Sequence, residues 1–320
     1  MNHREILTQA AGRIRGLVNL TPLTYDSQYG IYLKWENRQL TGSFKLRGAL
    51  NKVLSLDGAQ RERGLVTASA GNHGQGVALA AHRVGAKVTV FASDHAVPAK
   101  LDAMRSLGAE VRLVPGGYAL AEQTALQFAA ESGMTWISPY NDLQVIAGQA
   151  TVGLEILEQY NPFTAHAIIV PAGGGGLVTG TGMAMDGRCK VIGVSSQASP
   201  YLHELFYRGS QDHVVESESL ADGLAGAVEP GAVTINLAKE WVDEFILVSE
   251  ESIADAIGFA WFRYGERIEG SAATTLAAIL SEKISERPAV LIISGGNIQP
   301  ALHASLAQRW QDARGGAKPA

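Results

Sequence analysis

The sequence predicts an α/β protein of two domains, each an open, twisted, mainly parallel sheet flanked by helices. Three observations carry this. Short β-branched runs alternate with longer alanine-rich segments of helical period. Several of those runs end in glycine or serine and lead straight into a helical pattern, which favours parallel strands joined by right-handed crossovers. The length of 320 residues suits two domains. Hydrophobic residues make up 46% of the chain, ample for a large core, and modest aromatic content beside plentiful alanine and glycine suits close helix–sheet packing.

The runs that read as strands are Ile31–Trp35, Gly64–Thr67, Lys87–Phe91, Glu110–Val114, Thr135–Ile137, Ala167–Val170, Lys190–Val194, Glu244–Val248 and Ala289–Ile293. Helix starts carry recognisable caps. Ser249 is one, followed by Glu250, Glu251 and Ser252 ahead of an apolar-periodic run. Two alternating blocks emerge, from about Gly64 to Tyr140 and from about Asn141 to Gln299. No repeat at a solenoid period interrupts them. The terminal RGGAKPA is polar and glycine-containing and is expected to be disordered.

Composition removes several function classes. The formal net charge is −5, with both signs spread along the chain and no run of five like charges, so a nucleic-acid footprint is unsupported. No apolar stretch approaches the roughly 20 residues of a membrane span. The start, MNHREILTQAAGRIRG, lacks the apolar core of a signal peptide. Cys189 is the single cysteine, so no intrachain disulfide forms, and a cytoplasmic location is expected.

The segment PAGGGGLVTGTG, Pro171–Gly182, follows the buried run HAIIV and precedes a helical pattern. Glycines there let backbone N–H groups close on an anion at a helix N-terminus, so the loop reads as a phosphate site. The plainer use is a tight strand-to-helix turn needing positive φ, which glycine serves equally. The G-x-G-x-x-G dinucleotide fingerprint is missing, and the next strand ends in Ser195 and Ser196 rather than an acidic residue. A G-x-x-x-x-G-K-[ST] loop is missing too, so a small phosphorylated cofactor fits better than a nucleotide.

Three further constellations stand where strands meet helices, the places where α/β folds bind ligands. In Thr41-Gly42-Ser43-Phe44-Lys45-Leu46-Arg47-Gly48, Ser43 and its neighbours read as a helix start with Lys45 in the first turn. A lysine against the positive end of a helix dipole, flanked by Phe44, is a candidate for a lowered pKa and Schiff-base chemistry, although most lysines are solvated surface groups. In Ser69-Ala70-Gly71-Asn72-His73-Gly74, a second helix N-terminus offers free N–H groups to a carboxylate; an ordinary Asn/Gly turn accounts for it as well. A lone histidine such as His73 is more often packed or capping than a general base. In Ser294-Gly295-Gly296-Asn297, the serine is a neutral partner suited to a pyridine nitrogen, or part of a glycine turn.

Taken in order, TGSFKLRGA, SAGNHGQGVALAA, VIAGQATVGLEI, PAGGGGL, LADGLA, IEGSAA and SGGN give a recognisable pattern. The chain resembles the fold-type II pyridoxal-phosphate (PLP) enzymes, the tryptophan synthase β-like fold, and within them the serine/threonine dehydratase and serine racemase family. The resemblance spans about Leu20 to Gln299. It implies a large PLP-binding domain from residues 1–63 and 141–320, and a small domain, 64–140, that closes over the substrate. It implies that Lys45 holds the cofactor as a Schiff base and that Gly173, Gly174, Gly175, Gly176 and Leu177 cradle its phosphate. Asn72 would bond the phenolic oxygen, Ser294 would face the pyridine nitrogen, Phe44 would pack beside the ring, and Glu269 and Gly223 would lie near it. Ser69, Ala70, Gly71, Asn72 and His73 would surround the substrate carboxylate. A homodimer is also implied.

Two departures from the family pattern bear on chemistry. Where racemases carry a second proton-moving serine, this chain has Ala70, which argues against racemisation. After V-I-G-V, where related enzymes begin a divalent-metal site with a glutamate, the run Ser195-Ser196-Gln197-Ala198-Ser199-Pro200-Tyr201 holds no carboxylate, so no metal site is expected there. The expected reaction is β-elimination of water from a 3-hydroxy amino acid, L-threonine or L-serine first, with Lys45 as the base and a 2-oxo acid and ammonia as products. Alternatives are a bulkier substrate (phenylserine, hydroxyaspartate or a hydroxyectoine breakdown product), a racemase, a β-replacement synthase, and a non-catalytic PLP-binding protein. Tyr140, Asn141 and the Gly223–Gly226 segment would shape the pocket.

Overall fold

A computed structural model describes residues 2–314. Ten strands form two sheets: β1 (Leu23–Asp26), β2 (Ile31–Trp35), β3 (Leu65–Ala68), β4 (Val88–Ser93), β5 (Glu110–Val114), β6 (Thr135–Trp136), β7 (Ala167–Pro171), β8 (Lys190–Ser196), β9 (Glu244–Val248) and β10 (Ala289–Ile293). Among the described residues thirteen α-helices surround them: α1 (His3–Ile14), α2 (Lys45–Ser55), α3 (Gly58–Arg63), α4 (Asn72–Val84), α5 (Pro98–Ser106), α6 (Tyr118–Ser132), α7 (Leu143–Gln159), α8 (Gly176–Met185), α9 (Tyr201–Arg208), α10 (Val233–Trp241), α11 (Glu250–Tyr264), α12 (Gly270–Leu280) and α13 (Pro300–Ala313). The larger sheet runs β1-β2-β10-β7-β8-β9 and the smaller β5-β4-β3-β6. Every pairing is parallel except β1 with β2.

All nine predicted strands are present, with ends within two residues. The one missed is β1. Of its four residues LTYD, Leu23 is half-buried, Thr24 and Tyr25 are exposed and Asp26 is buried, so it has no apolar run to betray it. It exists because it can pair antiparallel along the edge of β2. The helix expected to start at Ser43 starts instead at Lys45, with Phe44 as its cap residue. Ser43 is held in an isolated antiparallel bridge to Gly295, and its buried hydroxyl finds no partner to cap. The Ser249 cap is as read: its side chain accepts from the Ser252 N–H. Of the terminal RGGAKPA, all but Arg314 lies outside the described residues.

Strand periodicity divides the core. In the larger sheet Ile31, Leu33, Ile169, Leu291 and Ile293 face one layer with α11 and α12, while Ile168, Val170, Val290 and Ile292 face another with α7 and α8. In the smaller sheet Leu65, Val88, Val90 and Ala92 pack against α4, and Val66, Ala68 and Phe91 against α6. Helix α2 joins the two sheets. Its Leu46, Ala49, Leu50 and Val53 belong to the smaller sheet's core, yet its start is tied to the larger sheet through the Ser43–Gly295 bridge. It also crosses α7 closely: a Cβ on Gly148 would lie 2.5 Å from the Arg47 carbonyl oxygen, so only glycine fits.

A buried charge cluster anchors that same helix. Arg47, with no exposed side chain, places Nε 2.8 Å from Glu36 Oε2 and Nη1 2.6 Å from Glu155 Oε1. Lys34, also fully buried, reaches Glu155 Oε2 at 2.7 Å. Two cations against two carboxylates leave no net charge in the interior. Burial alone would raise the Glu36 pKa, but Arg47 and Lys34 hold it below the ordinary carboxylate value. Among the described residues no helix is long and apolar enough to cross a membrane.

Candidate active site

Four segments meet at the C-terminal ends of parallel strands. Ser69 to Gly74 follow β3, Ala172 to Gly176 follow β7, Ser294 to Asn297 follow β10, and Lys45 opens α2 beside Ser294, whose carbonyl oxygen accepts the Phe44 N–H at 3.0 Å. The larger sheet supplies the β7 and β10 segments and the smaller sheet the β3 segment, so the site lies at the seam between them.

Lys45 is half-buried, and its Nζ donates to the Pro139 carbonyl oxygen at 3.0 Å. Burial pushes its pKa down to about 8, with the Glu269 carboxylate opposing that shift. The Phe44 ring centroid lies 5.4 Å from Nζ. This is the poised amine that carbonyl chemistry needs: a large share is neutral near pH 8, where an ordinary lysine is almost wholly charged.

The glycine loop is shaped by close approach. Gly175 adopts φ 94 and caps α8. A Cβ on Gly174 would come within 2.5 Å of the Tyr140 ring, and one on Gly173 within 2.8 Å of Leu224 Cα. Larger residues would fill the cradle. The first-turn N–H groups of α8 have no acceptor within the helix, so an anion there meets oriented donors and the positive end of the dipole. The donor set fits a phosphate monoester: neutral N–H groups of a helix start, with no carboxylate among residues 172–177.

The α4 start repeats the arrangement. Its cap residue Gly71 has φ −155 and ψ −125, and Ser69 Oγ accepts the Gly71 N–H at 3.1 Å. The N–H groups of Asn72, His73 and Gly74 point out of the helix start without intrahelical acceptors. His73 itself is packed: it is 3% exposed, its Nε2 lies 3.1 Å from the Ile137 carbonyl oxygen, and burial drives its pKa down to about 3. Its ring is then neutral through the physiological range, within electrostatic reach of Lys45, and its buried Nδ1 has no hydrogen-bond partner.

Glu269 is 5% exposed and accepts from Asn72 Nδ2 at 2.7 Å and from the Asn297 N–H at 3.2 Å. Burial, reinforced by Asp222, raises its pKa to about 7, and Lys100 works against that rise. Asn297 Nδ2 donates to Asn72 Oδ1 at 2.7 Å. Only one of the two Asn72 amide protons is committed, leaving the second for an acceptor in the site. Ser294 is 2% exposed and its hydroxyl makes no hydrogen bond among the described residues. Gly223 packs against the start of α12, where a Cβ would stand 2.8 Å from the buried, unpartnered Ser271 Oγ. Ser195, at the start of the run without carboxylates, turns its hydroxyl to the Ala172 carbonyl oxygen at 2.6 Å.

The structure thus brings Lys45, Phe44, Asn72, Glu269, Ser294 and the two glycine-bearing helix starts into one cleft. Sequence reasoning did not find the Asn297 side chain, the Pro139 carbonyl, Lys100 or Asp222. Asn297 lies in SGGN, whose glycines read as a turn, and Asp222 lies in LADGLA. Lys100 gives no local signal, being one more lysine in the first turn of a helix.

The pyridoxal-phosphate dependent enzyme family model matches residues 14–295. The chain is 40% identical over 304 residues to the L-threonine ammonia-lyase of Thermotoga maritima, covering 92% of this chain and 75% of that protein. It is 40% identical over 308 residues to a catabolic L-threonine dehydratase of Staphylococcus aureus, covering 91% and 88%. Among solved structures it is similar to the serine racemase of Dictyostelium discoideum, with TM-score 0.83, 35% identity and coverage of 92% and 98%. It is also similar to the processed threonine deaminase isoform 2 of Solanum lycopersicum, with TM-score 0.87, 29% identity and coverage of 96% and 92%. With the family model spanning both sheets and a site whose lysine, glycine cradle and neutral serine suit a phosphorylated pyridine aldehyde, the chain belongs to the pyridoxal-phosphate dependent enzymes.

Proposed function

We propose that this chain is a PLP-dependent ammonia-lyase that removes water from a 3-hydroxy amino acid, L-threonine or L-serine, and gives a 2-oxo acid and ammonia. The observation that carries this reading is the Lys45 amine, its pKa lowered to about 8, in the same cleft as two helix N-termini and Ser294. The relatives named as L-threonine ammonia-lyase and L-threonine dehydratase support the substrate class.

PLP, when bound, supplies an electron sink that acidifies the amino acid's Cα proton. Lys45 would hold the cofactor covalently, Gly173–Leu177 would hold its phosphate through N–H groups, Asn72 would offer its uncommitted amide proton, and Phe44 would pack beside the ring. Ser294 would meet the ring nitrogen as a neutral group, which does not enforce a proton there. The N–H groups of α4 and the Ser69 hydroxyl hold the substrate carboxylate and so orient Cα toward Lys45. Once released from the cofactor and neutral, Lys45 Nζ would take the Cα proton and return it to the β-hydroxyl, which would then depart as water. Ala70 carries no titratable group, so no second proton donor stands at that position to invert Cα. The smaller body, residues 64–140, closes over the substrate and excludes water. The working form is taken as a cytoplasmic homodimer, with Cys189 as a lone thiol. Light scattering at twice the chain mass supports the dimer, and a monomer mass rejects it.

Visible absorbance of the purified protein, with 2-oxo acid release from L-threonine, L-serine and bulkier 3-hydroxy amino acids, tests the reading. A cofactor band lost in Lys45→Ala, together with 2-oxobutyrate from L-threonine, supports it. Release only from a bulky substrate moves the substrate assignment, and steady conversion of L-serine to D-serine contradicts the role given to Ala70. Failure to take up PLP at all overturns the function.

A further inference from the structure

Lys100 stands in the first turn of α5, on the smaller sheet's side of the cleft, and its Nζ lies 3.4 Å from Asp222 Oδ2 on the larger sheet's side. The same Nζ would be 3.8 Å, and its Cδ 3.7 Å, from a Cβ placed on Gly71, so the ammonium hangs directly over the cap of α4. It lies close enough to Glu269 to lower that carboxyl's pKa, whereas Asp222 raises it, so both members of the ion pair belong electrically to the cleft.

The pair is asymmetric. Lys100 is 19% exposed and enclosed by the cleft, while Asp222 is 66% exposed and free to find water. An ion pair at 3.4 Å with one partner so exposed is weak, so Asp222 is readily displaced. A carboxylate arriving at the α4 start would gain the N–H groups of Asn72–Gly74, the positive end of the helix dipole and, from Lys100, a full cation. No other residue of the Ser69–Gly74 segment offers a positive charge, since His73 is buried and neutral.

We propose that Lys100 is a binding residue for the substrate α-carboxylate, and that Asp222 is the carboxylate that holds its ammonium in place until substrate displaces it. This rests on the ammonia-lyase reading for the identity of the substrate, but the carboxylate contact is tested without turnover. Because Lys100 and the α4 start both belong to the smaller sheet, the exchange frees that body from Asp222 as substrate enters.

The test uses the PLP-loaded enzyme and two ligands that lack a β-leaving group, L-alanine and L-alaninamide, with binding read from the change in visible absorbance. Lys100→Met is expected to weaken L-alanine about 10- to 100-fold, as loss of a charge-assisted hydrogen bond does, with L-alaninamide affected less than about twofold. Lys100→Arg restores most of the loss. Asp222→Asn leaves L-alanine binding unchanged or tighter, because it removes the competitor. Equal weakening of both ligands by Lys100→Met, no weakening of either, or an Asp222→Asn loss that matches Lys100→Met would overturn the proposal, the last by making the pair a mere strut. An unaltered cofactor band in each variant confirms that the site is loaded and folded. Normal L-alanine binding with no 2-oxo acid from any 3-hydroxy amino acid would sink the ammonia-lyase reading and leave the carboxylate contact standing.

Discussion

Asn72 Nδ2 donates to Glu269 Oε1 at 2.7 Å, joining the first residue of α4 to the residue that precedes α12. The bond ties the smaller sheet's helix to the larger sheet's helix at the floor of the cleft. It also places a carboxyl where water is excluded.

Glu269 makes stability depend on pH. Its pKa is raised by burial and Asp222 to about 7, so the folded chain keeps a proton that the unfolded chain loses from about pH 4.5. The stability this group contributes is full below pH 4.5 and is lost as pH rises through 7. In the cofactor-free protein, Glu269→Gln should abolish that decline. Denaturant titrations between pH 4.5 and 8 are expected to show the variant gaining about 3 kcal/mol relative to wild type. A pH-independent difference would mean that Glu269 is ionised throughout.

Lys45 should capture PLP with an inflection set by its lowered pKa. The rate of band formation in the cofactor-free protein is expected to rise about tenfold per pH unit below 8 and to level above it, since only the neutral amine attacks a carbonyl. In Glu269→Gln the inflection should move lower, because Glu269 is the charge that opposes the effect of burial. A rate still climbing steeply above pH 9 would show an unperturbed lysine.

Gly174 should tolerate no side chain. Its added Cβ would press into the Tyr140 ring at 2.5 Å, so Gly174→Ala must displace either the loop or the ring. Cofactor retention on dialysis should fall at least about tenfold, the range expected when phosphate contacts worth 1.5–3 kcal/mol are disturbed. Adding Tyr140→Ala should recover part of the loss. If the single variant keeps its cofactor, the cradle is looser than drawn.

Arg47 should matter for stability although it touches no ligand. Arg47→Met leaves Glu36 and Glu155 facing Lys34 alone, with Glu36 fully buried. Removing one member of such a cluster costs about 3–5 kcal/mol. A large drop in thermal midpoint with unchanged chemistry in the surviving folded fraction is expected. Restoring neutrality with Glu36→Gln in the same chain should return some of the loss, which a simple packing defect would not allow.

Much of the fold was legible because its elements are locally coded. The runs AIIV and AVLII are apolar on both faces and so read as central parallel strands, and they occupy β7 and β10. Lys45, the Gly173–Gly176 loop and Ser294 stand out in the sequence for a related reason: each lies where a strand gives way to a helix or its approach. Helix α2 starts at Lys45 rather than Ser43, because Ser43 has the chemistry of a cap but is drawn into a bridge with Gly295, some 250 residues later in the chain. The strand β1 escaped because an edge strand owes its existence to its neighbour rather than to its own sequence.

By itself, then, the sequence determined the alternation of elements and the placing of one lysine and two glycine-bearing helix starts at strand ends, since period, glycine content and motif order are properties of short stretches. Tertiary structure alone decided which charges share the cleft. Lowering Lys45 toward 8 and raising Glu269 toward 7 both require burial, and burial is produced by segments distant in the chain closing together. The same holds for Lys100 and Asp222, which are ordinary surface-type residues until packing sets them 3.4 Å apart over the start of α4.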